Sequence, residues 1–336
     1  MKLLIVTQKA DRTDPILGFF HRWLEEFSPR VETLTVIAQS AGDFALPSNT
    51  RVLSLGKEKG RSRVAQILTF WKLIWSGRDS YDRVLVHMTP VWVVLGAPVW
   101  AVLRKRVFLW YEARGGGPAL TLALLFVEKV FHATAFGLPR TTTKSRIVGH
   151  GIDTTFFAPS DQPRDPHLLC AIGRITRTKH LDVILRAFAA LPPEFRLVIA
   201  GGTITAQDRA LEAELLALRK ELHLENRVVT GFVMHPQVRS LLQKSALMLH
   251  ACGGGLDKVV LEAMACGCPV VTTSEAAKGV LPADCLAVPE TMADRATHIL
   301  GLSAEGSARL SSELRAIVTG KHNLPLLAER LVQEMQ

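Results

Sequence analysis

Residues 250–273 read "HACGGGLDKVVLEAMACGCPVVTT", and the second half of the chain is organised around them. Ala246–His250 is apolar and strand-like. Gly253, Gly254 and Gly255 follow, where backbone can approach a ligand closely. Asp257 is placed to cap the helix "KVVLEAMAC". Gly267 suits the position just past that helix, with Pro269 two residues on. A strand that turns through glycines into a helix start presents N–H groups and a positive dipole end, which suits a diphosphate. Glu262 lies one turn inside, on the same face as Lys258. That carboxylate has two readings: an i,i+4 ion pair, or an acceptor for ribose hydroxyls.

Two neighbouring stretches repeat the design. In "AIGRITRTKHLDVILRAF", residues 171–188, a strand ends at Gly173, Arg174 follows, and Lys179 precedes an amphipathic helix. A guanidinium fork and an ammonium beside a helix start either share one anion or are merely solvated loop cations. In "VVTGFVMHPQV", residues 228–238, Phe232 and Val233 follow a strand; they form either core or an apolar ledge for a base.

Outward from these, strand-like runs (KLLIVT, LTVIA, RVLSL, RVLVHM, RVFLWY, then HLLCAIG, RLVIAGG, RVVTGF, ALMLHA, PVVTT) alternate with helical ones. That alternation predicts βαβ units in two α/β, doubly wound parallel-sheet domains, with ligands at the strand C-termini. The junction is expected near "GHGIDTTFFAPSDQPRDP". The expected division is 1–155, 156–320, and a C-terminal helix over 321–336 packing back toward the N-terminal domain.

The chain has 336 residues, 48% hydrophobic and 21% charged, an ordinary globular balance. The five cysteines, Cys170, Cys252, Cys266, Cys268 and Cys285, form no CxxC pair and read as small buried hydrophobes in a reducing cytosol. The apolar run "VWVVLGAPVWAVL" is too short to span a bilayer, and the start "MKLLIVTQKADRTD" reads as a first strand rather than a secretory leader. Residues 1–155 hold 21 Lys/Arg against 12 Asp/Glu, whereas residues 156–336 hold 19 of each. The whole net charge of +9 therefore sits in the first half, which suits an acidic partner. No basic recognition helix or RNA-binding motif is visible, so nucleic acid is not expected. "RSRVAQILTFWKLIWSGR", residues 61–78, is basic at both ends and rich in Leu, Ile, Phe and Trp. It reads either as a helix packed on its sheet or as one that lies on anionic lipid.

Taken together and in this order, these stretches resemble retaining glycosyltransferases of family four, which have the GT-B fold of two Rossmann-like domains facing across a cleft. The family pattern is an acid, seven residues, then Glu-Ala-Met-Ala-x-Gly-x-Pro-Val; Glu262 to Val270 matches its second part fully. Gly173, Arg174 and Lys179 match the Gly-Arg…Lys element, and His150-Gly151-Ile152-Asp153 resembles the interdomain Gly-x-Asp segment. The first acid is missing: Gly254 stands in its place, with Asp257 three residues later.

The resemblance implies a hexosyltransferase-type enzyme. It would move a sugar from a nucleoside-diphosphate sugar to a glycan or lipid-linked acceptor, with retention of configuration and without a metal or other cofactor. Arg174 and Lys179 would carry leaving-group charge and His87, at a strand end, would orient the sugar. The nucleotide would lie on Gly18, Gly173, Phe232, Val233, Gly254, Gly255, Leu256, Asp257, Lys258 and Glu262. Glu112, Arg114 and Gly115–Gly117 follow another strand on the acceptor side. The expected setting is cytoplasmic, with the basic half available to an anionic inner membrane face. Two alternatives stay open: a GT-B sugar-nucleotide epimerase or hydrolase, which needs no acceptor, and a non-catalytic nucleotide-binding partner subunit, which turns nothing over.

Overall fold

The computed structural model describes every residue except Pro15, Arg114 and Met234, and the side chains of His235 and Pro236. The chain forms two compact units, Met1–Gly151 with Leu324–Gln336, and Ile152–Asn323.

The first unit holds a seven-stranded sheet: β1 (Lys2–Ala10), β2 (Thr33–Ala41), β3 (Thr50–Ser54), β4 (Arg83–His87), β5 (Arg106–Trp110), β6 (Lys129–His132) and β7 (Ser145–Ile147). Their order is β3-β2-β1-β4-β5-β6-β7, and every pairing is parallel. The helices are α1 (Phe19–Phe27), α2 (Arg63–Ser76), α3 (Pro90–Val102) and α4 (Pro118–Phe126). Alternation along β1 explains the layering. Leu3 and Ile5 pack with Phe20, Trp23, Leu24 and Phe27 of α1. Leu4 and Val6 face the other way, onto Phe70 and Ile74 of α2, Trp92 of α3 and Leu120 of α4. A strand covered on both faces needs apolar residues at every position, so the strand runs are continuous rather than alternating.

The second unit holds β8 (Asp165–Ile172), β9 (Arg196–Ala200), β10 (Val228–Gly231), β11 (Ser245–His250) and β12 (Val270–Thr272). Their order is β10-β9-β8-β11-β12, again all parallel. Its helices are α5 (Leu181–Ala189), α6 (Ala206–Glu221), α7 (His235–Lys244), α8 (Lys258–Ala265), α9 (Met292–Leu300) and α10 (Ala304–Lys321). The last helix, α11 (Leu324–Glu334), belongs to the first unit, where Leu327, Leu331 and Met335 join the cluster around Trp23.

Both sheets reverse their strand order once, at β1/β4 and at β8/β11, and in such sheets ligands bind beyond the strand ends at that reversal. The ten strand-like runs all form strands. Two more, β6 and β7, are four and three residues long, too short to show a period. "VWVVLGAPVWAVL" forms α3 despite the internal Pro98. Among the described residues no helix is long and apolar enough to cross a membrane.

Candidate functional site

The loops after β8 and β11 flank the reversal in the second unit. Direct bonds join them: the Gly253 N–H donates to the Thr178 carbonyl at 3.2 Å, and the Lys179 ammonium binds the Asp257 carboxylate and lies 3.6 Å from Cys252 Sγ. Lys179 and Asp257, 78 residues apart in sequence, thus meet at the carboxyl ends of β8 and β11.

Asp257 is the hub. It stands at the N-cap position of α8, yet its carboxylate makes no capping bond, which corrects the expected role. Instead Oδ2 takes Lys179 on one side and His250 Nε2, at 2.8 Å, on the other. His250 Nδ1 lies 2.8 Å from Thr272 Oγ1, which also accepts the Ser274 N–H at 3.0 Å. Burial pushes the Asp257 carboxyl up. The His250 bond and charge and the Lys179 ammonium outweigh burial and hold it well below the usual carboxylate range. Lys179 is thus already held by a carboxylate of the protein.

His250 and Cys252 were not singled out from the sequence for this site. The only available signal was a histidine at a strand end followed at i+7 by an aspartate, and a loop must fold back before that spacing means contact. Ligand atoms of His250, Cys252 and Asp257 lie within 4.8 Å of one another, a set open to a metal ion. In the folded protein the cation at Asp257 is Lys179.

Helix α8 ends as expected. Gly267 has φ +68°, its N–H donates to Met264 O at 2.9 Å, and Cys268 N–H donates to Ala263 O at 2.8 Å. Arg164 adds a guanidinium bond to Cys266 O at 2.6 Å, favourable at the negative end of the helix. One turn inside the helix, burial pushes the Glu262 carboxyl up, with the Lys258 charge opposing. Burial likewise pushes the Lys258 ammonium down, with Glu262 opposing. The two groups therefore interact electrostatically; the ribose-acceptor reading shares this acid with a lysine neighbour.

The other residues distribute as follows. Gly173 donates to Ala200 O at 3.0 Å, and the side chain of Lys179 runs over it. Arg174 is exposed beside it, and its charge acts on Asp208 in the first turn of α6. Phe232, beyond β10, is 62% exposed and lies beside Gly202, so it is no core residue; Val233 is half-buried. Gly254 and Gly255 are half-buried, and the Gly254 N–H is engaged by Cys252 Sγ at 3.3 Å rather than left free. Leu256 is a core side chain, 3% exposed, so it anchors the loop.

In the first unit, Gly18 and His87 stand at the β1/β4 reversal. A Cβ on Gly18 would lie 2.5 Å from Asp14 O, so the loop's own backbone demands this glycine. His87 is 3% exposed, stacks on Phe20 with ring centroids 4.1 Å apart, and lies 3.4 Å from Thr7 Oγ1 through Nδ1. In this arrangement it is a packed aromatic-core histidine. Arg114 lies outside the described residues. Glu112, just past β5, accepts the Ala133 N–H at 2.5 Å and the Thr134 hydroxyl at 3.3 Å. Burial pushes its carboxyl up to about 7 from 4.5. The folded unit then keeps this proton after the unfolded chain has lost it. Stability is therefore expected to fall as pH rises from about 4.5 to about 7, by on the order of 3 kcal/mol, and to level off above. Glu112→Gln should flatten that slope in denaturant midpoints measured at pH 5 and pH 8; an unchanged slope assigns it to other groups.

Residues 166–304, within the second unit, match the family model described as Glycosyl transferases group 1. The chain is similar to the N-acetylgalactosamine-N,N'-diacetylbacillosaminyl-diphospho-undecaprenol 4-alpha-N-acetylgalactosaminyltransferase of Campylobacter jejuni. The two are 33% identical over 106 residues, 31% of this chain and 27% of that protein. It is similar also to the D-inositol 3-phosphate glycosyltransferase of Mycobacterium sp. (strain JLS), 33% identical over 151 residues, 40% of this chain and 32% of that protein. The chain thus spans about a third of the length of these curated relatives. Among solved structures, Anabaena HepE in complex with UDP is similar at a TM-score of 0.77 and 17% identity, over 99% of both chains. At that identity the likeness speaks for the fold, which is GT-B.

Proposed function

We propose that the chain is a glycosyltransferase that takes its sugar from a nucleoside-diphosphate sugar, and that the β8/β11 strand ends of the second unit hold the nucleotide. The observation that carries this reading is that Lys179, in the loop that Arg174 opens after β8, meets Asp257 at the start of α8 at the reversal in strand order, inside the segment matching the family model. The UDP bound to the HepE neighbour supports a nucleoside diphosphate as ligand.

In this reading the diphosphate sits where the helix dipole and two cations add, and the exposed Phe232 offers a face to the base. Glu262 accepts from the ribose. As the sugar leaves, negative charge grows on the diphosphate, and Arg174 and Lys179 stabilise it. Transfer proceeds with retention, the acceptor attacking on the leaving-group face and the diphosphate taking its proton. No protein nucleophile or metal is required. Lys179 must trade part of its bond to Asp257 for the diphosphate, so Asp257 tunes the site rather than replacing the acid absent at Gly254.

The test is a thermal-shift and calorimetric panel of UDP, GDP, ADP and their sugars. One base is expected to raise the unfolding midpoint, and Glu262→Ala to weaken its binding about tenfold, the loss of one charge-assisted hydrogen bond. No shift with any nucleotide sinks the proposal; unchanged affinity in Glu262→Ala leaves that residue as the partner of Lys258 alone. Binding without turnover of any donor points to the partner-subunit alternative.

A further inference from the structure

The outer helices of a doubly wound sheet ordinarily turn a polar face to water. On the α2–α4 side of the first unit they do not. Helix α2 buries Phe70 and Ile74 against the sheet, and on its outer side Val64, Leu68, Trp71 and Trp75 are 67, 58, 40 and 50% exposed. Their spacing, i, i+4, i+7, i+11, makes one continuous stripe. The Trp71 indole N–H donates to Leu95 O of α3 at 2.8 Å, so its ring bridges the two helices. On the far side of α3, helix α4 exposes Leu122, Leu125 and Phe126 at 46, 69 and 51%. Scattered exposed leucines need no explanation, but an aligned apolar layer over adjacent helices marks a contact surface.

The charge around it selects the occupant. Helices α2, α3 and α4 contain no Asp or Glu. Exposed Arg61, Arg63 and Lys72 flank the stripe and exposed Arg104 follows α3, while Arg78 is paired with the exposed Asp79. Apolar side chains with tryptophan among them, ringed by cations, match the interface of an anionic bilayer. There, acyl chains take the apolar groups, the headgroup layer takes the indoles, and lipid phosphates take the cations. A second copy of this chain would bring an equally basic rim against the first, and like charges would oppose it.

We propose that the α2–α4 face docks the protein peripherally on an anionic membrane, with the Val64–Trp75 stripe inserted and the surrounding Arg and Lys at headgroup level. This goes beyond the transfer reading and does not depend on it.

The test is flotation of the full chain with vesicles of phosphatidylcholine alone or of phosphatidylcholine mixed with phosphatidylglycerol. The expected result is co-flotation with the anionic vesicles, and at least about a tenfold weaker partition on the neutral ones. The triple variant Val64→Ser/Leu68→Ser/Trp75→Ser should lose about tenfold or more of the partition while keeping the wild-type unfolding midpoint, because these side chains face outward. The variant Arg61→Glu/Arg63→Glu, also on exposed positions, should lose the preference for anionic vesicles. Wild type that stays unbound at low salt overturns the proposal, as does a triple variant that floats like wild type. A wild-type dimer that the triple substitution makes monomeric, without vesicle binding by either, overturns it in favour of a second copy.

Discussion

Arg174→Ala is expected to slow donor turnover by a factor on the order of 100 or more while leaving the protein folded. Arg174 is exposed, directly after the end of β8, so its removal opens no cavity and strips no buried partner. Its planar fork is suited to two phosphate oxygens at once, and the interaction strengthens as charge moves onto the leaving group. The loss should therefore fall on kcat more than on nucleotide affinity. Arg174→Lys should recover only part of it, since an ammonium presents a point charge. The measurement is turnover of the sugar of whichever nucleotide stabilises the protein, alongside calorimetric affinity for that nucleotide. Near-normal kcat in Arg174→Ala removes this residue from the chemistry.

The second large effect is on stability. Asp257→Ala is expected to cost the second unit about 2 kcal/mol, lowering its unfolding midpoint by roughly 4–8 °C. The carboxylate is the shared partner of Lys179 and His250, and its side chain is only 24% exposed. Removing it leaves a partly buried ammonium and an imidazole N–H without an acceptor, and that orphaning, more than the lost attraction, sets the cost. Breaking a fully buried pair would cost more; residual solvent access reduces it. In a cycle with Lys179→Met the double variant should lose less than the two single losses combined. The sign of the pH dependence is definite. The folded carboxyl lies below its ordinary 3.8, so the contribution is complete at neutral pH and is lost only as pH falls below that value. A wild-type midpoint for Asp257→Ala at pH 7 sinks this account.

Three features of the site were legible in the chain because each depends on local chemistry. Gly267 can sit at the end of α8 because only a residue tolerant of positive φ closes that turn. Continuous apolar runs mark strands covered on both faces. Glu262 stands out because an acid within an apolar helical run must be buried or paired. Other features needed the folded molecule. Asp257 has the type and position of an N-cap, yet a lysine 78 residues away and a histidine seven residues away claim its carboxylate. Phe232 has the composition of core and lies on the surface. His87 stands at a strand end where a ligand could reach, and three aromatic side chains of α1 enclose it.

By itself the sequence determined the two parallel α/β sheets, since the period and apolarity of each run dictate strand or helix and how many faces are covered. It determined also the short-range signals of the strand–glycine–helix turn. The tertiary structure alone decided which charges meet and which faces stay open. Whether Lys179 meets Asp257, and whether Trp75 points at the sheet or away from it, depends on where a loop or helix lands after packing. Long-range contact is not encoded in spacing along the chain.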